Sequence, residues 1–227
     1  MREFRVSDHE VAIGLVTLRL AEDDVWDAWK TKAEPGLLLK KDRGLLEELD
    51  RFFRTSRTEA AAIFELGIWD GGSTAFWFEY FRPDKLVAID YLDREDDPAF
   101  RAYVERQKLS NSLKTYWRTD QSDREQLRAI VGQEFAVPLD LVIDDASHEL
   151  HATRASFDTL FPLLRPGGLY LVEDWAWETY SSFREPDHPW ATREGLVEFI
   201  GDLVDATARG EVGRLVVTPR FVAVERG

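Results

Sequence analysis

From Ala60 onward, short apolar runs alternate with stretches of helical spacing. Ala61–Leu66, Leu86–Ile89, Leu113–Trp117, Leu139–Ile143 and Leu169–Val172 are apolar runs of strand length bounded by turn residues. That pattern predicts buried parallel strands. Between and after them, Ser73–Phe81, Asp97–Leu109, Asp123–Val131, His151–Leu164 and Thr192–Ala206 predict helices, and Ser73 and Thr74 are candidates to cap the first. Leu215–Val217 and Phe221–Val224, split by Thr218-Pro219-Arg220, predict a closing antiparallel hairpin. Strand–helix alternation of this kind implies βαβ units. The expected fold is therefore α/β: a doubly wound, mostly parallel seven-stranded sheet with an antiparallel C-terminal hairpin and helices on both faces.

The first sixty residues are less patterned. Gly44–Arg54 carries Leu45, Leu46, Leu49, Phe52 and Phe53 at helical spacing. Val11–Leu20 fits a short helix or a strand. Residues 26–42, with two Trp, a Pro-Gly break and four Lys, read as a loop or cap whose lysines form a solvated face. No repeat, low-complexity tract or linker is visible. A single domain over 1–227 is expected, with 1–60 as an N-terminal helical cap or extension and 61–227 as the core.

Composition narrows the partners. The hydrophobic content of 44% is enough for a real core. A formal net charge of −14 argues against a nucleic-acid or anionic-membrane partner, because phosphate backbones need a basic face. Cysteine is absent, which excludes disulfides, thiolate nucleophiles and Cys-ligated zinc. The opening MREFRVSDHE has no apolar core of signal-peptide length, and no run approaches the roughly 18 apolar residues of a membrane span. A soluble, cytoplasmic protein is expected.

The first strand runs into Glu65-Leu66-Gly67-Ile68-Trp69-Asp70-Gly71-Gly72-Ser73. Glycines permit tight turns and close approach of a ligand to the main chain, and the following helix offers free N–H groups. The spacing is neither the dinucleotide fingerprint nor a P-loop, and taken alone the loop also fits a structural turn. Asp90 ends the second strand, where a carboxylate can bind both hydroxyls of a ribose. Together they point to a nucleoside-containing cofactor. E-x-G-x-x-x-G-G-S after the first strand and I-D after the second resemble class I S-adenosylmethionine-dependent methyltransferases, which have a Rossmann-like fold. The resemblance covers residues 60–227, closing hairpin included. It implies that Glu65, Gly67 and Gly71, with Ser73 in the same cofactor-binding set, shape the methionine side, and that Asp90 binds the ribose. By position after the third strand, it also implies that Asp120, Gln121 and Ser122 lie on the adenine side.

Two strand ends carry an unusual load of charge: Asp144 and Asp145 with His148 three residues on, and Glu173 with Asp174. Ligands of such sheets bind at the carboxyl ends of strands. Asp145, Glu173 and Asp174 can converge on one hard divalent cation, which would relieve their mutual repulsion, and a nearby neutral imidazole is the usual general base. The plain alternatives are a helix cap for Asp144 or Asp145 and solvated loop positions for Glu173 and Asp174. Asp144 is left out of the ligand set, as a cofactor contact or a purely structural residue. I-D-D-x-S-H followed, after a helix, by P-G-G-x-Y-x-x-E-D resembles the metal-dependent sugar and macrolide-glycoside O-methyltransferases. It also resembles the related proteins labelled cephalosporin hydroxylase or rhamnosyl O-methyltransferase.

That resemblance implies Mg²⁺ ligands at Asp145, Glu173 and Asp174 and a base at His148. The activity it implies is S-adenosylmethionine-dependent O-methylation of a sugar or glycoside hydroxyl on a small-molecule or saccharide acceptor. The rival readings are a catechol-type aromatic O-methyltransferase, a non-haem iron oxygenase and a non-catalytic S-adenosylmethionine-binding protein. The oxygenase fits least, since a facial triad needs two histidines and only His148 lies at the strand ends. Trp175, Trp177 and Tyr180 fit an acceptor wall or ordinary packing equally, and Trp69 is a similar case. His151 reads as surface or as a residue behind the site, and His9 and His188 have no partner spacing. Residues 1–60 are candidates for closing over the cofactor or forming a homo-oligomer such as a dimer.

Overall fold

A computed structural model describes residues 1–20, 36–94 and 98–227. The larger part of the expected loop over 26–42 and the first residue of the helix expected at Asp97 lie outside the described residues. The N-terminal sequence folds first as strands. β1 (Phe4–Val6), β2 (Glu10–Ile13) and β3 (Val16–Leu20) form an antiparallel meander, and β4 (Leu38–Leu39) pairs in parallel with β3. The open choice over Val11–Leu20 is thereby settled as a hairpin. Val11, Ile13, Val16, Leu18 and Leu20 are all buried, the alternation of a strand with one covered face, and Gly14 turns with φ +55°. The expected helical cap is corrected accordingly: the described part of 1–60 is a small sheet followed by one helix, α1 (Arg43–Thr55). Asp42 caps α1 by accepting from the Leu45 N–H at 3.0 Å, and Leu45, Leu46, Leu49 and Phe53 form its buried stripe.

The main sheet follows the predicted alternation: β5 (Ala62–Leu66), α2 (Gly72–Phe81), β6 (Lys85–Ile89), α3 (Pro98–Gln107), β7 (Leu113–Tyr116), α4 (Arg124–Glu134), β8 (Leu139–Asp144), α5 (Leu150–Leu160), β9 (Leu164–Glu173), α6 (Val197–Ala208), β10 (Arg214–Val217) and β11 (Phe221–Glu225). Seven strands run in the order β10-β11-β9-β8-β5-β6-β7, and the β5–β8, β8–β9 and β6–β7 pairs are parallel. β11 is antiparallel to both β9 and β10. This is the expected α/β class with its closing hairpin. No helix among the described residues is long and apolar enough to cross a membrane.

The chain divides into two compact units, Met1–Ala61 with Ile68–Arg118, and Ala62–Gly67 with Thr119–Gly227. In the first, α2 is covered on almost every side, as its aromatic-rich Ala75–Phe78 and Tyr80 require. Its Trp77 and Tyr80 pack with Phe53 of α1, the Phe53–Trp77 centroids 5.9 Å apart and edge-on, and Phe76 packs on both of them. Glu79, buried on the same helix, is neutralised by Arg2 and Arg82 and accepts from the Tyr103 hydroxyl. In the second unit β8, β9 and β11 supply the core, with Leu141–Ile143, Tyr170–Val172 and Phe221–Val224 buried.

Three of the departures from expectation have a clear local reason. The α2 N-cap is Gly71 at φ +85° with no side-chain cap, so Ser73 and Thr74 lie inside the helix rather than capping it. Pro166-Gly167-Gly168 is an irregular stretch within β9 rather than a turn before it. The β8 register jumps from Leu139 opposite Leu164 to Leu141 opposite Leu169, and Arg165 reaches back to Asp140. α6 starts at Val197, not Thr192, because Glu178 accepts from the Val197 N–H at 2.6 Å from far along the chain.

Candidate active site

The glycine loop is built by close approach and by one carboxylate. Gly67 follows β5 with φ +96°, and a Cβ there would strike the main-chain carbonyl of Asp145. The end of β5 is thereby held against the end of β8, where the Asp145 N–H donates to the Leu66 carbonyl at 3.0 Å. Gly67→Ala should lower stability by about 1–3 kcal/mol from backbone strain alone, with the collision adding to it. Chemical denaturation measures the loss, and an unchanged midpoint would contradict the packing.

Glu65, one residue before the end of β5, is fully buried. Within the first unit, Asp90 takes over the loop. One of its carboxylate oxygens accepts from the N–H groups of Ile68 and Trp69, both at 2.8 Å, and the other from Leu92 at 2.7 Å. A carboxylate has about four lone-pair sites, so three backbone donors leave about one for a ligand. Asp70 is tied to Arg94 at 2.6 Å, and Lys40 and Arg94 lie 4.2 and 4.7 Å from the Trp69 ring centre. Trp69 is thus packed by cations. Asp120 receives the N–H and hydroxyl of Ser122 in a tight turn, and Asp123 caps α4.

The strand-end carboxylates divide by burial. Asp144, the last residue of β8, is buried. It accepts from Tyr170 at 2.8 Å, Ser156 at 3.0 Å and the Gln121 amide at 3.2 Å. Burial raises its pKa against the opposing pull of these donors, and burial beside Asp144 raises that of the Tyr170 phenol well above its ordinary value. Asp144 is thus held by side chains from α5, β9 and the segment after β7.

Asp145, His148 and Asp174 come together: one ligand atom from each lies within 4.8 Å of the others. His148 Nε2 is 3.7 Å from Asp145 Oδ1, outside hydrogen-bond reach. Ligand atoms about 2.1 Å from a magnesium ion lie about 3–4 Å from one another, so the two hard carboxylates at this spacing fit a divalent cation with small side-chain movement, and the imidazole stands beside it. Glu173 ends β9 one residue before Asp174 and is buried, and its carboxylate stands outside this group.

Two of the three sit on uncommon backbone. His148 has φ +55° and Asp174 φ +50°, left-handed positions that persist in non-glycine residues only where surroundings impose them. The Asp174 N–H donates to the Arg220 carbonyl at 3.0 Å, and the neighbouring Trp175 indole to the Thr218 carbonyl at 2.7 Å. The Trp177 indole donates to the His148 carbonyl at 2.9 Å, while Trp190 lies 6.0 Å from the imidazole and meets Trp177 edge-on at 4.9 Å. Trp175 and Trp177 therefore hold the site by hydrogen bonds, and only Tyr180, 53% exposed, keeps an open ring. Trp177→Phe should cost about 1 kcal/mol, the worth of one hydrogen bond; urea unfolding reads it, and a gain in stability would contradict the clamp.

Sequence reasoning missed Trp190, Ser156 and Tyr170. Tyr170 had a signal, since a tyrosine inside a buried strand needs a partner for its hydroxyl.

A methyltransferase domain family matches residues 64–175. Demethylmacrocin O-methyltransferase of Streptomyces fradiae is 32% identical over 163 residues, covering 67% of this chain and 38% of that protein. Mycinamicin VI 2''-O-methyltransferase of Micromonospora griseorubida is 31% identical over 173 residues, covering 72% of this chain and 39% of that protein. The chain thus spans less than half the length of the curated relatives it matches. Among solved structures, the MycE methyltransferase from the mycinamycin biosynthetic pathway, in complex with Mg, SAH and mycinamycin VI, is similar with a TM-score of 0.61 and 29% identity. That likeness covers 80% of this chain and 49% of that one. The O-methyltransferase TomG from Streptomyces achromogenes shares the fold, with a TM-score of 0.56 at 18% identity over 83% of this chain and 82% of that one. Sheet order, strand-end carboxylates and the matched segment agree: residues 64–175 match a methyltransferase domain, and the fold is that of the similar solved methyltransferases.

Proposed function

We propose that this protein is an S-adenosylmethionine- and Mg²⁺-dependent O-methyltransferase acting on a hydroxyl of a sugar or glycoside, with 1–227 working as one methyltransferase domain. The observation that carries this reading is the convergence of Asp145, His148 and Asp174 at the strand ends. The relatives' names support it, since they describe O-methyltransferases of a demethylmacrocin and of a mycinamicin. So does the similar MycE structure, which holds Mg and SAH. These relatives favour a glycoside over a catechol acceptor. We place the protein in the cytoplasm, with a small-molecule or saccharide acceptor and no nucleic-acid or membrane partner, and include a homodimer in the reading.

When bound, S-adenosylmethionine supplies an electrophilic methyl group and Mg²⁺ acidifies the acceptor hydroxyl. Asp145 and Asp174 would hold the cation; Glu173, expected as a third ligand, stands outside the close group, so the assignment rests on two carboxylates. His148 takes the hydroxyl proton onto its imidazole as that oxygen becomes the nucleophile. Trp177 holds the His148 main chain and Trp190 lies beside the imidazole, which limits the reorganisation that accompanies the reaction. For the methyl donor, Gly71, Ser73 and Asp90 are assigned in the first unit and Glu65, Gly67 and Asp120 in the second. The uncapped first turn of α2 leaves N–H groups suited to a carboxylate.

The test is methyl transfer from labelled S-adenosylmethionine to a panel of glycosides and catechols, with and without chelator. Labelled glycoside that disappears with EDTA is the expected result. Label on catechols alone would move the assignment to the aromatic class, and no transfer to any acceptor would remove it.

A further inference from the structure

We infer that Gln121 is a positioning residue for His148 and Asp145, acting through the main chain of Ser147 and the buried carboxylate of Asp144, and not a contact for the adenine of the methyl donor. The inference rests on the reading of His148 as the base.

Gln121 lies beyond the end of β7 and is 6% exposed. Both halves of its amide are engaged within the second unit. Its nitrogen donates to the Asp144 carboxylate at 3.2 Å and to the Ser156 hydroxyl at 3.2 Å. Its oxygen accepts from the Ser147 N–H at 2.9 Å. The orientation of the amide follows from the partners: the Ser147 N–H can only donate and the Asp144 carboxylate accepts, so oxygen must face the first and nitrogen the second. No other neutral side chain of this length offers one donor face and one acceptor face at once. Glutamate would set a second carboxylate against Asp144, and methionine would fill the space without either bond.

What the amide holds matters for the site. Ser147 immediately precedes His148, whose left-handed backbone is sustained by its surroundings. Gln121 fixes the N–H on the near side of that residue, and the Trp177 indole fixes the carbonyl of His148 itself. Asp144, next to Asp145 in the chain, is the node at which Gln121, Ser156 of α5 and Tyr170 of β9 meet. This accounts for two residues of the strand-end motifs, Asp144 and Tyr170, that take no part in holding a cation or moving a proton. A displacement of the base by about 1 Å costs about 10²-fold in rate, so a hydrogen bond remote from the chemistry reads out in turnover.

The experiment uses the full chain and compares wild type with Gln121→Ala and the volume-keeping Gln121→Met. Three quantities are measured: exchange of the Ser147 amide by NMR, S-adenosylhomocysteine affinity by calorimetry, and kcat for labelled methyl transfer. In both variants Ser147 exchange should rise by at least about tenfold, since its amide loses its partner. In both, kcat should fall by about 10–100-fold, with S-adenosylhomocysteine affinity unchanged. Gln121→Met carries the test should Gln121→Ala fail to fold. Unaltered Ser147 exchange, or weakened cofactor affinity with kcat retained, overturns the inference. If wild type transfers no methyl group, the functional reading fails by itself, while Ser147 exchange still decides whether Gln121 holds the turn.

Discussion

Replacing His148 with alanine is expected to lower kcat by about 10²–10⁴-fold, the usual worth of a general base, while leaving S-adenosylhomocysteine affinity unchanged. The position needs a matched control, because alanine tolerates a φ of +55° poorly and a collapsed turn would mimic a lost base. Asparagine accepts the left-handed conformation more readily and cannot serve as a base at neutral pH, so His148→Asn should lose turnover to the same extent with a normal unfolding midpoint. Single-turnover methyl transfer with saturating cofactor separates the chemical step from binding. Full activity in the asparagine variant would show that the proton leaves by another route.

Asp174→Asn is expected to remove the response to divalent cation. With EDTA-treated protein, wild-type activity should return on titration with Mg²⁺. The variant should stay at least about 10²-fold lower throughout, since a cation that polarises an oxygen supplies several kcal/mol of transition-state stabilisation. Asparagine retains the left-handed backbone and the N–H bond to the Arg220 carbonyl, so the fold is preserved and only the ligand charge changes. Calorimetric titration of Mg²⁺ into each protein gives a readout independent of turnover. Wild type that keeps its full rate in chelator would defeat the metal assignment whatever the variant does.

The parallel strands were legible because burial on both faces leaves continuous apolar runs, and Leu86–Ile89 or Leu141–Ile143 can be little else. The small N-terminal sheet was not legible. β1 and β4 are three and two residues long, and only their pairing with neighbours makes them strands. The start of α6 was hidden for a related reason: the group that receives the Val197 N–H is Glu178, nineteen positions away. At the site, charge and spacing exposed Asp145, His148 and Asp174. They set Asp144 apart from Asp145 but did not reveal its partners, because adjacent strand-end residues face opposite sides and only the structure shows which side holds Tyr170 and Ser156. Asp90 was picked as a strand-end carboxylate, but its engagement with three amides depends on the path of the loop, which residue type does not encode.

The turn between β10 and β11 touches the corner that carries Asp174 through two main-chain oxygens, those of Thr218 and Arg220. Main-chain oxygens are common to all residues. Apart from Thr218, whose hydroxyl accepts from the Arg220 and Phe221 N–H groups, side chains in this turn can therefore drift without disturbing the corner, whereas a change in its length would move both acceptors together. A designer can recolour this turn but not resize it, and shortening the C-terminal hairpin would be felt at a carboxylate more than forty positions upstream.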